Sequence, residues 1–172
     1  LASKHSPAYW DQSEEPCDSQ YQLFSKYDQF SLREYQVLEK ECEKVKVDFL
    51  CTPFDKQAVD ELVPMMPFVK VASADITNFP LLEDVAKHNK PVILSVGAST
   101  LSEVCYAVEF LKKQGIQDIA LLHCVLSYPT KDADAQLNTI SYLQSVFPDI
   151  IIGYSDHTKP TDMLIPFISF VN

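Results

Sequence analysis

The chain has 172 residues, 47% of them hydrophobic, with a formal net charge of −10 and a pI of about 4.7. That apolar content is enough for one domain with a sizeable core. The acidic balance argues against nucleic acid and anionic membranes as partners, and leaves room for a small anion bound by local positive charge.

Residues 1–30 are polar and aromatic with little periodicity, and predict a long loop with one short helix near Ser19–Lys26. Such a loop either lies over a binding site or frays as a terminus. From Ser31 the chain becomes regular. Ser31-Leu32-Arg33-Glu34 is a capping box, followed by Tyr35, Leu38 and Cys42 at helical spacing, which predicts a helix to about Lys44. A strand is expected over Val47–Thr52, stopped by Pro53, and a short helix over Lys56–Leu62. The next strand, Phe68–Ala72, is apolar except for Lys70, and it breaks into Ser73, Asp75, Thr77 and Asn78. Pro80–His88 reads as a helix and Pro91–Val96 as a strand ended by Gly97. Thr100-Leu101-Ser102-Glu103 is a second capping box, opening a helix to about Gln114 with Gly115 as its C-cap. A strand over Ile119–Cys124, a helix over Gln136–Phe147 and a strand over Ile150–Tyr154 follow. The apolar tail, Pro160–Val171, is expected to be helical.

Five cysteines, Cys17, Cys42, Cys51, Cys105 and Cys124, are widely spaced without a C-x-x-C, which fits reduced thiols and a cytoplasmic setting. No apolar run is long enough for a membrane-spanning helix, and no leader peptide is expected. A start at Leu1 implies upstream residues.

Five alternations of strand and helix, with near-continuously apolar strands, predict a parallel sheet covered by helices. Each strand turns polar at its C-terminal end, near Thr52, Ser73, Ser95, His123 and Ser155. That distribution favours a TIM-type (β/α)8 barrel over a doubly wound sheet, and no G-x-G-x-x-G occurs. A full barrel needs about 250 residues and eight strands. The expectation is therefore an incomplete barrel of about five βα units.

Lys70 is either an inward cation that needs an anionic partner or a side chain that snorkels to solvent. With Thr52, Ser73 and Ser95 it could hold a phosphate or carboxylate. Asp75 could act as acid, base or sugar-hydroxyl acceptor. His157 is a candidate metal ligand on spacing, with a structural role equally open, and His123 reads as a structural histidine.

Several linked motifs carry a resemblance: K-V-A-S-A-D-I-T-N-F-P-L-L, P-V-I-L-S-V-G, L-L-H-C-V-L-S-Y-P and F-P-D-I-I-I-G-Y-S-D-H-T, in this order, with S-K-H-S-P-A-Y-W and C-T-P-F-D-K-Q-A-V-D before them. Together they resemble the sialic acid synthase family, which includes N-acetylneuraminate synthase and bacterial relatives making legionaminic, pseudaminic and spore-coat sugars. The resemblance implies condensation of phosphoenolpyruvate with an N-acylated amino sugar such as N-acetylmannosamine, giving a nine-carbon 2-keto sugar acid and phosphate. It implies a divalent metal, Mn²⁺ or Mg²⁺, and a homodimer. By motif position, Thr52, Lys70, Ser73, Ser95 and Ser155 look like phosphoenolpyruvate contacts, Asp75 and Tyr128 like acceptor contacts, and His157 like a metal ligand. Lys70 and Asp75 are the expected catalytic pair.

Four positions depart from the family pattern. Leu126 stands where the family usually has Asn or Ser, Val96 where it has Thr and Ala98 where it has Met, and Lys159-Pro160 follows S-D-H-T in place of a Gly. The family's N-terminal strand with its Glu, its last strand with a second metal-binding His and its C-terminal antifreeze-like domain find no counterpart within residues 1–172. The expected domain is thus one partial barrel, inactive by itself. The alternatives are a non-catalytic remnant of the family and another phosphoenolpyruvate-using aldol-type synthase.

Overall fold

A computed structural model describes residues 3–13, 15–160 and 163–171. Four strands form one sheet: β1 (Val69–Val71), β2 (Val92–Ser95), β3 (Ile119–His123) and β4 (Ile151–Tyr154). All pairs are parallel and the spatial order is β1-β2-β3-β4. A doubly wound sheet reverses strand order at its switch point, whereas barrel staves add one after another in a single direction. The sequential order observed here is that of a barrel wall.

The α-helices among the described residues are α1 (Gln20–Tyr27), α2 (Leu32–Val45), α3 (Lys56–Leu62), α4 (Phe79–Ala86), α5 (Leu101–Lys113), α6 (Asn138–Val146) and α7 (Leu164–Val171), with short 3-10 turns between. Their ends follow local chemistry. Ser31 N–H donates to Glu34 Oε2 over 2.7 Å, and Thr100 N–H donates to Glu103 Oε2 over the same distance, closing both capping boxes. Gly115 takes φ +100 after α5, a conformation that costs a residue without Cβ little. Lys90 has no helix of its own to serve. Its ammonium donates to Val63 O over 2.8 Å and to Pro64 O and Met66 O, gathering carbonyls of the 3-10 turn that follows α3.

The strands bury alternate residues. Val69, Val71, Val92, Leu94 and Leu121 are at most 1% exposed and pack with Val59 and Leu62 of α3, Leu82 and Val85 of α4 and Leu111 of α5 in one core. Ladder partners share a face, so Lys70, Ile93 and Ala120 occupy the opposite one, the barrel's interior side. Gly153, beside Leu122, leaves space there: a Cβ on it would come within 2.8 Å of the leucine's Cδ2.

One expected strand is not found. Residues 47–52 make no ladder, and the sheet has four strands where five were expected. Phe49 still packs into the core, so the apolar pattern is satisfied by burial. The Cys51 amide, however, donates to the Met66 thioether over 3.0 Å instead of to a carbonyl of β1. A strand exists only where backbone groups pair, and apolar residues in a row do not ensure that. The remaining elements agree with the sequence to within a few residues. The expected tail helix is present over α7, and residues 161, 162 and 172 lie outside the described part. All five cysteines are free thiols. No helix among the described residues is long and apolar enough to cross a membrane.

Candidate functional site

Parallel strands deliver their C-terminal residues to one end of the sheet. Ser95 ends β2 beside Leu122, His123 ends β3 beside Tyr154, and the Ser155 amide donates to His123 O over 2.8 Å. Ser73 opens a 3-10 turn, Ser73–Asp75, immediately after β1. These four residues therefore share an end of the sheet, as expected. Thr52 sits half-buried on the ladderless segment, and among the described residues nothing hydrogen-bonds it to the other candidates.

Lys70 is half-buried on the interior side, and no carboxylate pairs with it among the described residues. Its ammonium donates to Val71 O over 3.2 Å. Burial pushes its pKa down, and the neighbouring Cys124 thiol opposes that shift. A cation in this state is stabilised by an incoming anion. Ser95 is 3% exposed, and no group among the described residues hydrogen-bonds its hydroxyl. The end of β1 and β2 thus offers a charge and unengaged hydroxyl donors.

Asp75 is positioned by its own turn: Oδ1 accepts from Asn78 Nδ2 over 3.0 Å, while Asn78 Oδ1 accepts from Leu81 N at the start of α4. One carboxylate oxygen remains for other partners.

A second group centres on His157. Its Nδ1–H donates to Val125 O over 2.7 Å, which fixes the tautomer and leaves Nε2 as an acceptor, 3.5 Å from Ser155 Oγ. Tyr128 stacks on the imidazole with ring centroids 4.2 Å apart. Burial raises the Tyr128 pKa, with Tyr9 and Cys124 adding to the shift. Thr130 N–H donates to His157 O over 2.7 Å, so the loop after β3 and the loop after β4 are tied together.

The N-terminal segment covers this group. Trp10 forms a parallel bridge with Tyr128, the Asp11 amide donates to Tyr128 O over 3.3 Å, and the Tyr9 ring meets Tyr128 edge-on at 5.3 Å. Trp10 Nε1–H donates to Glu15 O, and the Glu15 carboxylate accepts from Lys26 Nζ over 2.8 Å and Tyr27 OH over 2.6 Å. Of the two readings of this segment, a frayed end is not what is found: it packs over the candidate group around Tyr128 and His157. It walls a cleft of about 320 Å³ shared with Tyr128, Pro129, His157 and Thr158. The aromatic pair Tyr9-Trp10 in an otherwise polar stretch was the available signal for this role.

His123 stands apart from both groups. It is buried, and its Nε2–H donates to Ala135 O over 2.8 Å, so it secures the chain before α6. That is the structural role read from the sequence. Gly97 and Cys124 were missed as site residues. A Cβ on Gly97 would lie 2.6 Å from Cys124 Sγ, so only glycine lets the two strand ends approach.

As a metal centre the arrangement is incomplete. His157 has the backbone-anchored ring of a ligand, and its Nε2 meets only the long 3.5 Å contact from Ser155 Oγ. No cluster of three or more His, Cys, Asp or Glu that could hold an ion occurs among the described residues. Asp156 is committed to its own turn, accepting from Thr158 N over 3.0 Å and Thr158 Oγ1 over 3.1 Å. The described residues fit one ligand position and do not make a site alone.

The model of the NeuB family matches residues 1–170. The chain belongs to the NeuB family. Its relatives include an uncharacterized protein of Methanocaldococcus jannaschii, 46% identical over 87% of this chain and 43% of the relative. An N-acetylneuraminate-9-phosphate synthase of Drosophila melanogaster is 38% identical over 80% of this chain and 37% of the relative. An N,N'-diacetyllegionaminic acid synthase of Campylobacter jejuni is 37% identical over 83% and 43%. This NeuB-family chain thus spans about two-fifths of the length of the curated relatives it matches. Among solved structures it is similar to an N-acetylneuraminic acid synthetase of Leptospira borgpetersenii in complex with citrate, with 36% identity, a TM-score of 0.80, and coverage of 92% of this chain and 55% of that one. A truncated 3-deoxy-D-arabino-heptulosonate 7-phosphate synthase of Thermotoga maritima shares the fold, with 15% identity, a TM-score of 0.65, and coverage of 81% and 55%. The family is one of sugar acid synthases, and the fold is of the TIM-barrel type.

Proposed function

We propose that the protein to which this chain belongs condenses phosphoenolpyruvate with an N-acylated amino sugar, forming a sialic-acid-type 2-keto sugar acid. The observation that supports it most is Lys70, a half-buried cation without a carboxylate partner among the described residues, on the interior side of a barrel wall. Lys70, Ser73, Ser95 and Ser155 hold the phosphate and carboxylate of phosphoenolpyruvate, with Thr52 reaching them from the neighbouring segment. Asp75 and Tyr128 hold the acceptor, and Asp75 takes or returns a proton at a sugar hydroxyl. C3 of phosphoenolpyruvate forms the new bond to the aldehyde carbon, water adds at C2, and phosphate leaves. Citrate, the polycarboxylate in the Leptospira borgpetersenii synthetase structure, is consistent with an anion-binding site in the family.

His157 serves as one ligand of a divalent ion, Mn²⁺ or Mg²⁺. When bound, that ion supplies polarisation of the sugar aldehyde. A tight site needs about three protein ligands. The others must come from outside the described residues, so residues 1–172 by themselves are expected to be inactive. The proposed assembly is a homodimer in the cytoplasm.

The test is phosphate release by the full protein from phosphoenolpyruvate, N-acetylmannosamine and Mn²⁺. Acceptor-dependent release that is lost in Lys70→Ala supports the reading. Release independent of the sugar, or none with any N-acylated amino sugar, refutes it.

A further inference from the structure

The segment before α2 is a body of its own, tied together by polar contacts. Pro7 and Ser19 pair in an antiparallel bridge. At the start of α1 the Gln20 amide donates to Ser6 O over 3.1 Å, and Gln20 Nε2 donates to Pro7 O over 2.8 Å. Glu15 joins the two halves. Its carbonyl accepts from Trp10 Nε1–H over 2.9 Å, and its carboxylate accepts from Lys26 and Tyr27 on α1. No described residue from 3 to 28 is buried, those of α1 included. A segment with few buried apolar contacts and exposed hydrogen bonds opens at low free-energy cost. The internal links make it open as a unit rather than unravel.

Its contacts with the barrel gather on Tyr128. Trp10 bridges to Tyr128 through the backbone, the Asp11 amide donates to Tyr128 O over 3.3 Å, and the Tyr9 ring meets the Tyr128 ring edge-on. Tyr128 also stacks on His157, whose own ring is anchored on Val125 O. Tyr128 is 37% exposed on a loop, so its ring keeps rotamer freedom unless neighbours remove it. One of those neighbours belongs to the barrel and the other to the detachable segment.

We propose that residues 3–28 are a hinged flap whose closure holds Tyr128 in place for the acceptor sugar, with Glu15 as the positioning residue that keeps the flap in one piece; this rests on the condensation reading above. The hinge lies between α1 and α2. Without the Glu15 carboxylate, Trp10 is uncoupled from α1, and the Tyr128 ring regains its rotamers. The loss falls on the sugar, because Lys70 and Ser95, assigned to the anion, stand on β1 and β2, away from the flap's contacts.

Two measurements on the full protein test this. Amide hydrogen exchange, resolved by residue, compares Asp11, bonded across to Tyr128, with Gln20, bonded inside the flap. Asp11 is expected to exchange faster than Gln20, and N-acetylmannosamine with phosphoenolpyruvate is expected to slow it. Phosphate release is then measured in wild type, Glu15→Lys, Lys26→Glu and the double variant. In each single variant kcat/KM for N-acetylmannosamine should fall about 10- to 100-fold, mainly through the sugar's KM, as for a contact displaced by about 1 Å. Phosphoenolpyruvate affinity by calorimetry should be retained, and the charge-reversed pair should regain much of the loss. Should Glu15→Lys fail to fold by circular dichroism, Glu15→Gln takes its place, and its sugar KM decides. An unchanged sugar KM, or an equal loss of phosphoenolpyruvate affinity, overturns the positioning role while the condensation reading stands. Equal exchange at Asp11 and Gln20 overturns the flap. No release by wild type with any acceptor overturns the condensation reading and the acceptor role with it, and the order of exchange in the free protein still decides the flap.

Discussion

Truncating Lys70 to alanine tests the anion site most directly. The side chain has no carboxylate partner among the described residues, so its removal leaves no orphaned negative charge. Two unit charges 4 Å apart attract by about 4 kcal/mol at an effective dielectric of about 20. A charge-assisted hydrogen bond contributes about 1.5–3 kcal/mol net. Desolvation of the half-buried ammonium is already incurred in the free protein, as its lowered pKa indicates. Binding should therefore weaken by about 2–4 kcal/mol, or about 30- to 900-fold in Kd. Isothermal titration calorimetry of phosphoenolpyruvate against the full protein reads this out. The pH dependence adds a second check. The site needs the charged ammonium, and burial lowers its pKa, so affinity should fall as pH rises, and do so before the range of an ordinary lysine, near about 10.4, is reached. The same affinity in wild type and Lys70→Ala would refute the reasoning, because no other cation is proposed for the anion.

Three further outcomes are expected. His123→Ala removes a buried 2.8 Å hydrogen bond and should cost about 1–3 kcal/mol, seen as a lower Tm with phosphoenolpyruvate affinity retained; a selective loss of affinity would contradict the structural role. Gly97→Ala puts a Cβ 2.6 Å from Cys124 Sγ and 3.1 Å from Cys124 O, and should cost about 1–3 kcal/mol in a thermal melt, a cost that Gly115→Ala would not incur by the same clash since nothing lies within 4 Å of a Cβ there. The Glu15 carboxyl is held at about 2 by hydrogen bonds from Lys26 and then Tyr27, so its folded pKa lies below its unfolded one. Its contribution is therefore present above the unfolded carboxylate range and lost as pH falls toward 2. Emission of Trp10, the chain's single tryptophan, should shift to the red over that window, and a flat profile would show that Glu15 does not hold the segment.

The sequence by itself determined the elements whose signals are local. Capping boxes at Ser31 and Thr100, and Gly115 after α5, act through neighbours three or four residues away, so their chemistry can be read directly along the chain. The apolar strands with polar ends carried the barrel-type reading, because burial on both faces of a parallel sheet leaves few positions for polar residues except the strand ends. Family membership was legible for a different reason, since several linked motifs run in order along most of the chain. Tertiary structure decided whatever depends on pairing across distance. Residues 47–52 have a strand's composition, but the Cys51 amide meets Met66 rather than β1. Lys70 could have reached solvent or the barrel interior, and the register of β1 against β2 set it on the interior side. His123 and His157 both come at strand ends, and the sequence read the first as structural and left the second open between ligand and structural roles. One donates to Ala135 and is sealed in the core, while the other donates to Val125 and turns Nε2 to Ser155 Oγ at 3.5 Å, because ladder alternation and loop geometry, and not residue type, choose which side of the sheet a side chain faces.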